Sequence, residues 1–160
     1  YSLFVQLAVP AVLLRTRWRA RREPLYGHAF GERRGRYAAP PETGRLWVHA
    51  VSLGETRAAE PLVAELRRQR PGLRLLLTHG TATGREAGAK LLQPGDAQCW
   101  LPWDTPGATR RFLRAHRPLA GVVLETEVWP NLMAACREAG LPVVLANARL
   151  SARSLRKGER

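Results

Sequence analysis

Acidic residues are scarce in this chain of 160 residues: 13 Asp and Glu face 26 Lys and Arg, for a formal net charge of +13. Lysine is scarce as well, since almost all of the basic residues are Arg. Only two cysteines are present, Cys99 and Cys136, with no CxxC pair. That excludes a framework of several disulfides and leaves one Cys99–Cys136 bridge as the other reading of the pair, while four histidines without paired cysteines make no zinc site. Both thiols are expected to be buried and reduced. No Walker lysine follows a glycine-rich loop, and the spacing of a dinucleotide fingerprint is missing, so neither nucleotide motif is available. The hydrophobic content of 45% excludes wholesale disorder and fits one compact domain.

A long hydrophobic run is lacking too. Tyr1 to Leu14 is apolar apart from Ser2 and Gln6, but fourteen residues fall short of the roughly 20 that a bilayer requires. Arg15, Arg17, Arg19, Arg21 and Arg22 follow directly, with Trp18 among them. A signal peptide carries its positive charge before the apolar run, which is the reverse order. The chain starts on Tyr1 rather than Met, so residues 1–22 read as a membrane-anchor-like helix with an Arg-rich cytoplasmic edge. An ordinary buried helix at the domain edge is the other reading.

What is abundant is Arg, and strand–helix alternation. A strongly positive surface attracts polyanions, and the guanidinium fork matches phosphate. Residues 23–45, rich in Gly, Pro and Arg, read as an exposed connecting segment. From Leu46 onward, short apolar strands are expected at Leu46–Val51, Leu73–Thr78, Gln98–Leu101, Gly121–Leu124 and Pro142–Ala146. Helices are expected between them: one around Ala58 to Leu66, then Arg85–Leu92, Ala108–His116 and Pro130–Ala139, the last closed by Gly140. Pro61 should kink its helix or mark the first turn. The pattern implies an α/β fold, a Rossmann-like parallel sheet with helices on both faces, over residues 46–160. The basic tail Ser154–Arg160 comes just past the fifth strand, which reads as a stop within a larger protein.

In such a sheet, ligands bind beyond the carboxyl ends of the strands. Three polar clusters fall there. His49 to Thr56 leaves the first core strand, turns at Gly54 and sets Glu55 near a helix start, as a partner of the helix dipole or as a general base. Thr78 to Gly84 offers hydroxyls and N–H groups at a helix start, either an anion seat or a plain turn capped by Thr. Leu124 to Asn131 carries Glu125 and Glu127, which share a face if the segment is extended. Asn147 to Ser151 ends the fifth strand, and its Arg149 suits a phosphate or a glutamate partner.

HAVSLGET at His49–Thr56, TATG at Thr81–Gly84, LPWD at Leu101–Asp104, ETEVWPN at Glu125–Asn131 and NARLSARS at Asn147–Ser154 together resemble, in that order, the 3-deoxy-D-manno-octulosonic acid (Kdo) transferases. The early Arg-rich segment and GER at Gly31–Arg33 resemble the same family, so the likeness covers nearly the whole chain. It implies the N-terminal, acceptor-side half of a GT-B glycosyltransferase, with the donor domain absent here. It also implies an inverting transfer of Kdo from CMP-Kdo to lipid IVA in lipopolysaccharide biosynthesis, at the cytoplasmic face of the inner membrane. By resemblance Glu55 is the proton acceptor and Glu125 a transition-state stabiliser. Acceptor contacts are expected from Ser52, Gly54, Thr81, Thr83, Gly84, Glu127, Asn131 and Arg149. No cofactor or metal is implied, and the fragment by itself is expected to bind acceptor without turning over. Ala82 and Arg85 depart from the family's usual Pro and Ser, and Leu53 stands for the usual Val.

Two other readings compete. One keeps the GT-B fold and changes the donor or acceptor. The other is a basic nucleic-acid-binding module, which would want aromatics interleaved with the basic groups. Here Trp47, Trp100, Trp103 and Trp129 fall in strands or at motif edges, and nucleic acid is not expected as a partner.

Overall fold

The computed structural model describes residues 1–38, 43–125 and 129–148. The chain opens with α1 (Ser2–Ala20) and two 3-10 turns (Pro24–Gly27 and Glu32–Arg34). Strands and helices then alternate: β1 (Arg45–His49), α2 (Leu53–Gln69), β2 (Arg74–His79), α3 (Ala82–Ala89), β3 (Ala97–Trp100), α4 (Pro106–His116), β4 (Ala120–Leu124), α5 (Pro130–Glu138) and β5 (Val143–Ala146). All strand pairs are parallel, in the order β3-β2-β1-β4-β5. This is the Rossmann-like sheet expected from the strand–helix rhythm. The order reverses between β1 and β4, which opens a crevice at their carboxyl ends.

Alternate residues of each strand face opposite sides, so each strand supplies two cores. On one side Trp47, Leu76, Cys99 and Val123 pack with Phe112 and Leu113 of α4 and with Leu132, Ala135 and Cys136 of α5. On the other, Val48, Leu75, Leu77 and Leu124 pack with Ala59 and Val63 of α2. Burial on both faces is why the strands read as apolar runs rather than alternating patterns. Both cysteines are free and buried. Pro61 sits in the interior of α2 without ending it. It lies on the exposed side, where the missing N–H leaves the Arg57 carbonyl without its helical donor.

Within the expected connecting segment, residues 23–38 pack against the sheet. Tyr26 and Arg33 are buried, and the Tyr26 ring stacks on Trp100 with centroids 6.0 Å apart. The Arg33 guanidinium lies 4.0 Å from the centre of the Trp100 ring, and Arg19 lies 4.2 Å from that of Tyr26. Glu32 Oε2 accepts from Trp100 N (2.8 Å) and from Arg85 Nη1 (3.1 Å). Aromatic faces and one carboxylate thus let cations pack against the sheet, which composition alone does not reveal. Burial pulls the Arg33 pKa down to about 10, with Tyr26 and Glu32 opposing that shift and Arg85 reinforcing it.

The N-terminal end of α1 is tied to the same edge of the sheet. Tyr1 donates its hydroxyl to Asp104 Oδ2 (2.9 Å) and Ser2 donates to Asn131 Oδ1 (2.7 Å). Its outer surface is apolar: Leu3, Leu7 and Leu14 are exposed and Phe4 is 74% exposed. No helix among the described residues is long and apolar enough to cross a membrane.

Trp47 and Gly121 are direct partners across β1 and β4. A Cβ at Gly121 would lie 2.6 Å from Trp47 Cε3, inside a side chain with no exposed surface. Gly121→Ala is expected to lower the unfolding free energy by about 1–3 kcal/mol, the usual range for overpacking, as measured by urea denaturation.

Candidate active site

The crevice is built where β1 and β4 leave the sheet. His49 pairs with Val123, so Val51 and Glu125 each lie two residues beyond a paired position on neighbouring strands. Ser52 is extended (φ −118°, ψ 172°) and caps α2, its Oγ accepting from Glu55 N at 3.4 Å. Glu55 answers in kind. Its Oε1 accepts from the Ser52 hydroxyl (2.9 Å) and its Oε2 from Val51 N (2.7 Å). This is a capping box displaced by one residue, since the glutamate reaches the N–H before the cap. Glu55 is only 7% exposed, and among the described residues no cation pairs with it. Each carboxylate oxygen has one protein donor and keeps capacity for a second hydrogen bond. The box that caps α2 thus also fixes the direction of the carboxylate. Gly54 lies in the first turn of α2 beside it.

The Thr81 loop braces this turn. Gly80 N, Thr81 N and Thr81 Oγ1 all donate to the Val51 carbonyl, each at 3.0 Å. Thr81 Oγ1 also caps α3 by accepting from Gly84 N at 3.1 Å. A Cβ at Gly84 would stand 3.0 Å from the Ser52 carbonyl carbon and from Val51 O, so only glycine lets α3 sit this close. Three of the N–H groups that looked free for an anion are thus already committed. Thr83 stays exposed, its Oγ1 3.5 Å from that of Thr81.

Across the crevice, Glu125 adopts a left-handed backbone (φ 60°) while its N–H donates to the Ala146 carbonyl at 2.8 Å. Asn147, just past β5, is left-handed as well (φ 54°). Asn tolerates that region, whereas a glutamate there is uncommon and marks a backbone constrained by its surroundings. Asn131 opens α5, and its side chain engages the protein: Nδ2 donates to the Asp104 carbonyl at 2.6 Å and Oδ1 accepts from Ser2. Glu127 and Arg149 lie outside the described residues.

Sequence reasoning overlooked Asp104 and the two buried histidines. Asp104 accepts from Leu132 N (2.8 Å), Asn131 N (3.1 Å) and the Tyr1 hydroxyl, so it caps α5 from a distant loop and joins it to α1. Its place in LPWD gave the position but not the partners, which are 27 and 103 residues away. His49 Nδ1 sits 2.9 Å from Thr78 Oγ1, and His79 Nδ1 sits 2.9 Å from the Ala50 carbonyl. Burial pulls their pKa values down to about 3 and about 4 respectively. Both are neutral braces beneath the crevice floor. Among the described residues no group of three His, Cys, Asp or Glu is placed to hold a metal.

A histidine with a depressed folded pKa favours the native state above its unfolded value of about 6.5 and loses that contribution as pH falls toward the folded value. Stability is therefore expected to fall as pH drops from about 6.5 toward 4, because the unfolded chain takes up protons that His49 and His79 refuse. His49→Gln should flatten that slope in urea midpoints measured across the range. Ser52→Ala should cost about 1 kcal/mol, the usual loss of a helix cap, by the same assay at neutral pH.

Known proteins resemble this chain over most of its length. A family model described as 3-deoxy-D-manno-octulosonic-acid transferase (kdotransferase) matches residues 28–160. The chain is 48% identical over 166 aligned residues to a 3-deoxy-D-manno-octulosonic acid transferase of Bordetella pertussis, covering 98% of this chain and 38% of the relative. It is 36% identical to the enzyme of the same name from Haemophilus influenzae, covering 96% of this chain and 36% of that protein. A probable mitochondrial 3-deoxy-D-manno-octulosonic acid transferase of Arabidopsis thaliana is also 36% identical, over 92% of this chain and 33% of its own. The chain thus spans little more than a third of the length of these curated relatives. With residues 28–160 matched and 48% identity to one such enzyme over 98% of this chain, the chain belongs to the 3-deoxy-D-manno-octulosonic acid transferase family, as its N-terminal domain.

Proposed function

We propose that this domain presents the acceptor in a Kdo glycosyltransferase of lipopolysaccharide biosynthesis, with CMP-Kdo as donor and lipid IVA as acceptor. The observation that carries the reading is Glu55, a buried carboxylate aimed by Val51 N and the Ser52 hydroxyl at the switch point of the sheet, in a chain of this family. In the proposed reaction Glu55 takes the proton from an acceptor sugar hydroxyl. The freed oxygen attacks the anomeric carbon of Kdo, the bond from that carbon to the CMP phosphate breaks, and CMP leaves from the opposite face with inversion. The proton ends on Glu55 and the bonding pair on the phosphate oxygen.

Glu125, on the neighbouring strand end, positions a cationic group or the substrate in the transition state and does not face the developing negative charge directly. Ser52 and Gly54 border the acceptor, with Thr81, Thr83, Gly84, Glu127, Asn131 and Arg149 as further acceptor contacts in this reading. CMP-Kdo is held mainly by a second domain of the full-length enzyme. The exposed apolar surface of α1, followed by its arginines, supports docking on an anionic membrane, at the cytoplasmic face of the inner membrane.

Glu55→Gln keeps a hydrogen-bonding side chain in the capping box, so the fold should survive. In the full-length enzyme it should lower kcat for Kdo transfer by about 10²–10⁴-fold, the range for loss of a general base. Activity within a few-fold of wild type would remove Glu55 from that role. Transfer from another nucleotide sugar in preference to CMP-Kdo would favour a different GT-B donor. For the membrane, Phe4→Glu with Leu7→Glu should abolish co-flotation with vesicles containing anionic lipid, and unchanged flotation would refute docking through α1.

A further inference from the structure

A second polar cavity, of about 310 Å³, lies between α1, the Glu32–Arg34 turn and the start of α4, beyond the end of β3 and apart from the Glu55 crevice. Arg33, Arg34 and Arg111 line it together with Gln6, Thr105 and Gly107, and no Asp or Glu does. The two acids adjacent to it in sequence are engaged elsewhere: Asp104 turns its carboxylate to Asn131 and Leu132, and Glu32 accepts from Trp100 N and Arg85. Two glycines make the arrangement possible. Gly35 is left-handed (φ 72°), and a Cβ there would lie 2.6 Å from the Ala108 carbonyl oxygen, so the arginine-bearing turn presses directly onto α4. A Cβ at Gly107 would lie 3.1 Å from Arg111 Nη1, so the guanidinium rests over the first turn of the helix.

Arg111 is held there by its own side chain. Its Nε and Nη2 donate to the Arg34 carbonyl at 3.3 and 2.7 Å, which leaves Nη1 without a protein acceptor among the described residues. The helix end is equally unsatisfied. Thr105 is the cap residue but its side chain makes no cap hydrogen bond, Pro106 has no N–H, and the first turn contains no acidic residue. Gly107 N makes no hydrogen bond among the described residues. A guanidinium laid over the positive end of a helix dipole is electrostatically unfavourable unless an anion joins them.

We propose that this cavity is a seat for a phosphate monoester. The dianion accepts from Gly107 N–H, the Thr105 hydroxyl and Arg111 Nη1, with Arg34 closing the open side. α1 forms the far wall through Gln6 and Val9 while Leu3, Phe4 and Leu7 face outward. The phosphate can therefore belong to a soluble ester or to a lipid headgroup lying against α1. The assignment stands independently of the transferase reading, because it uses none of the residues placed in that reaction.

The test is calorimetric titration of the intact protein with inorganic phosphate, at constant ionic strength against chloride. Arg34→Gln with Arg111→Gln should weaken binding at least about tenfold, and Gly107→Ala, which keeps every charge, should weaken it several-fold, since one charge-assisted hydrogen bond corresponds to about a factor of ten. Unchanged thermal unfolding in chloride confirms that the variants are folded. No phosphate-specific heat in the wild type, or equal affinity in all three proteins, overturns the proposal. Vesicles with phosphatidic acid, a monoester, are compared with vesicles carrying phosphatidylglycerol, a diester. A preference for phosphatidic acid that the variants lose assigns the seat to a lipid headgroup. Phosphate binding without that preference assigns it to a soluble ester.

Discussion

The backbone of Val51 is the point on which the crevice depends. Its N–H goes to Glu55 and its carbonyl receives three donors from Gly80 and Thr81. A residue leaving the central strand has no ladder partner, and a buried orphan amide or carbonyl costs roughly 1–3 kcal/mol. Here the partners come from two loops, so satisfying one residue also locks the start of α2 against the start of α3. The carboxylate that closes this arrangement is the one proposed to take a proton. In that proposal structure and chemistry share a single side chain, whose direction is set by the hydrogen bonds of the helix cap.

The second constraint is charge. A formal +13 on 160 residues leaves far more cations than carboxylates can pair. The fold answers partly with aromatic surface: Arg33 and Arg85 lie over Trp100, and Arg19 over Tyr26. Stacking costs a guanidinium less hydration than it would cost an ammonium, which suits a chain that uses Arg almost exclusively. Glu32 bonds both Arg85 and the Trp100 backbone, so the N-terminal segment is fastened to the outer strand β3. The same economy of acids leaves the start of α4 without a counter-charge.

These two constraints meet along one edge of the sheet. α1 reaches the start of α5 through Tyr1, Ser2, Asp104 and Asn131. Glu125 lies at the end of β4, and α5 begins five residues later at Pro130. The helix with the exposed apolar surface is therefore joined by a few hydrogen bonds to the helix that follows β4.

The order of strands and helices was legible in the sequence, because apolar runs, caps and Gly-Pro breaks are local signals. The parallel sheet followed from them, and β2, β3 and β4 fall within a residue or two of their expected bounds. The place of Glu55 near a helix start was legible as well, since the turn at Gly54 off the first core strand is a local signal. What local patterns could not convey was partnership. That residues 23–38 would pack on Trp100, that Asp104 would cap a helix from a distant loop, and that Gly121 exists to admit Trp47 depend on contacts between residues far apart in the chain. By itself the sequence determined the elements, the excess of Arg and the ordered motifs. The tertiary structure decided which strand ends became neighbours, and so set Glu55 and Glu125 just beyond adjacent strands, because only the order of strands in the sheet brings those ends together.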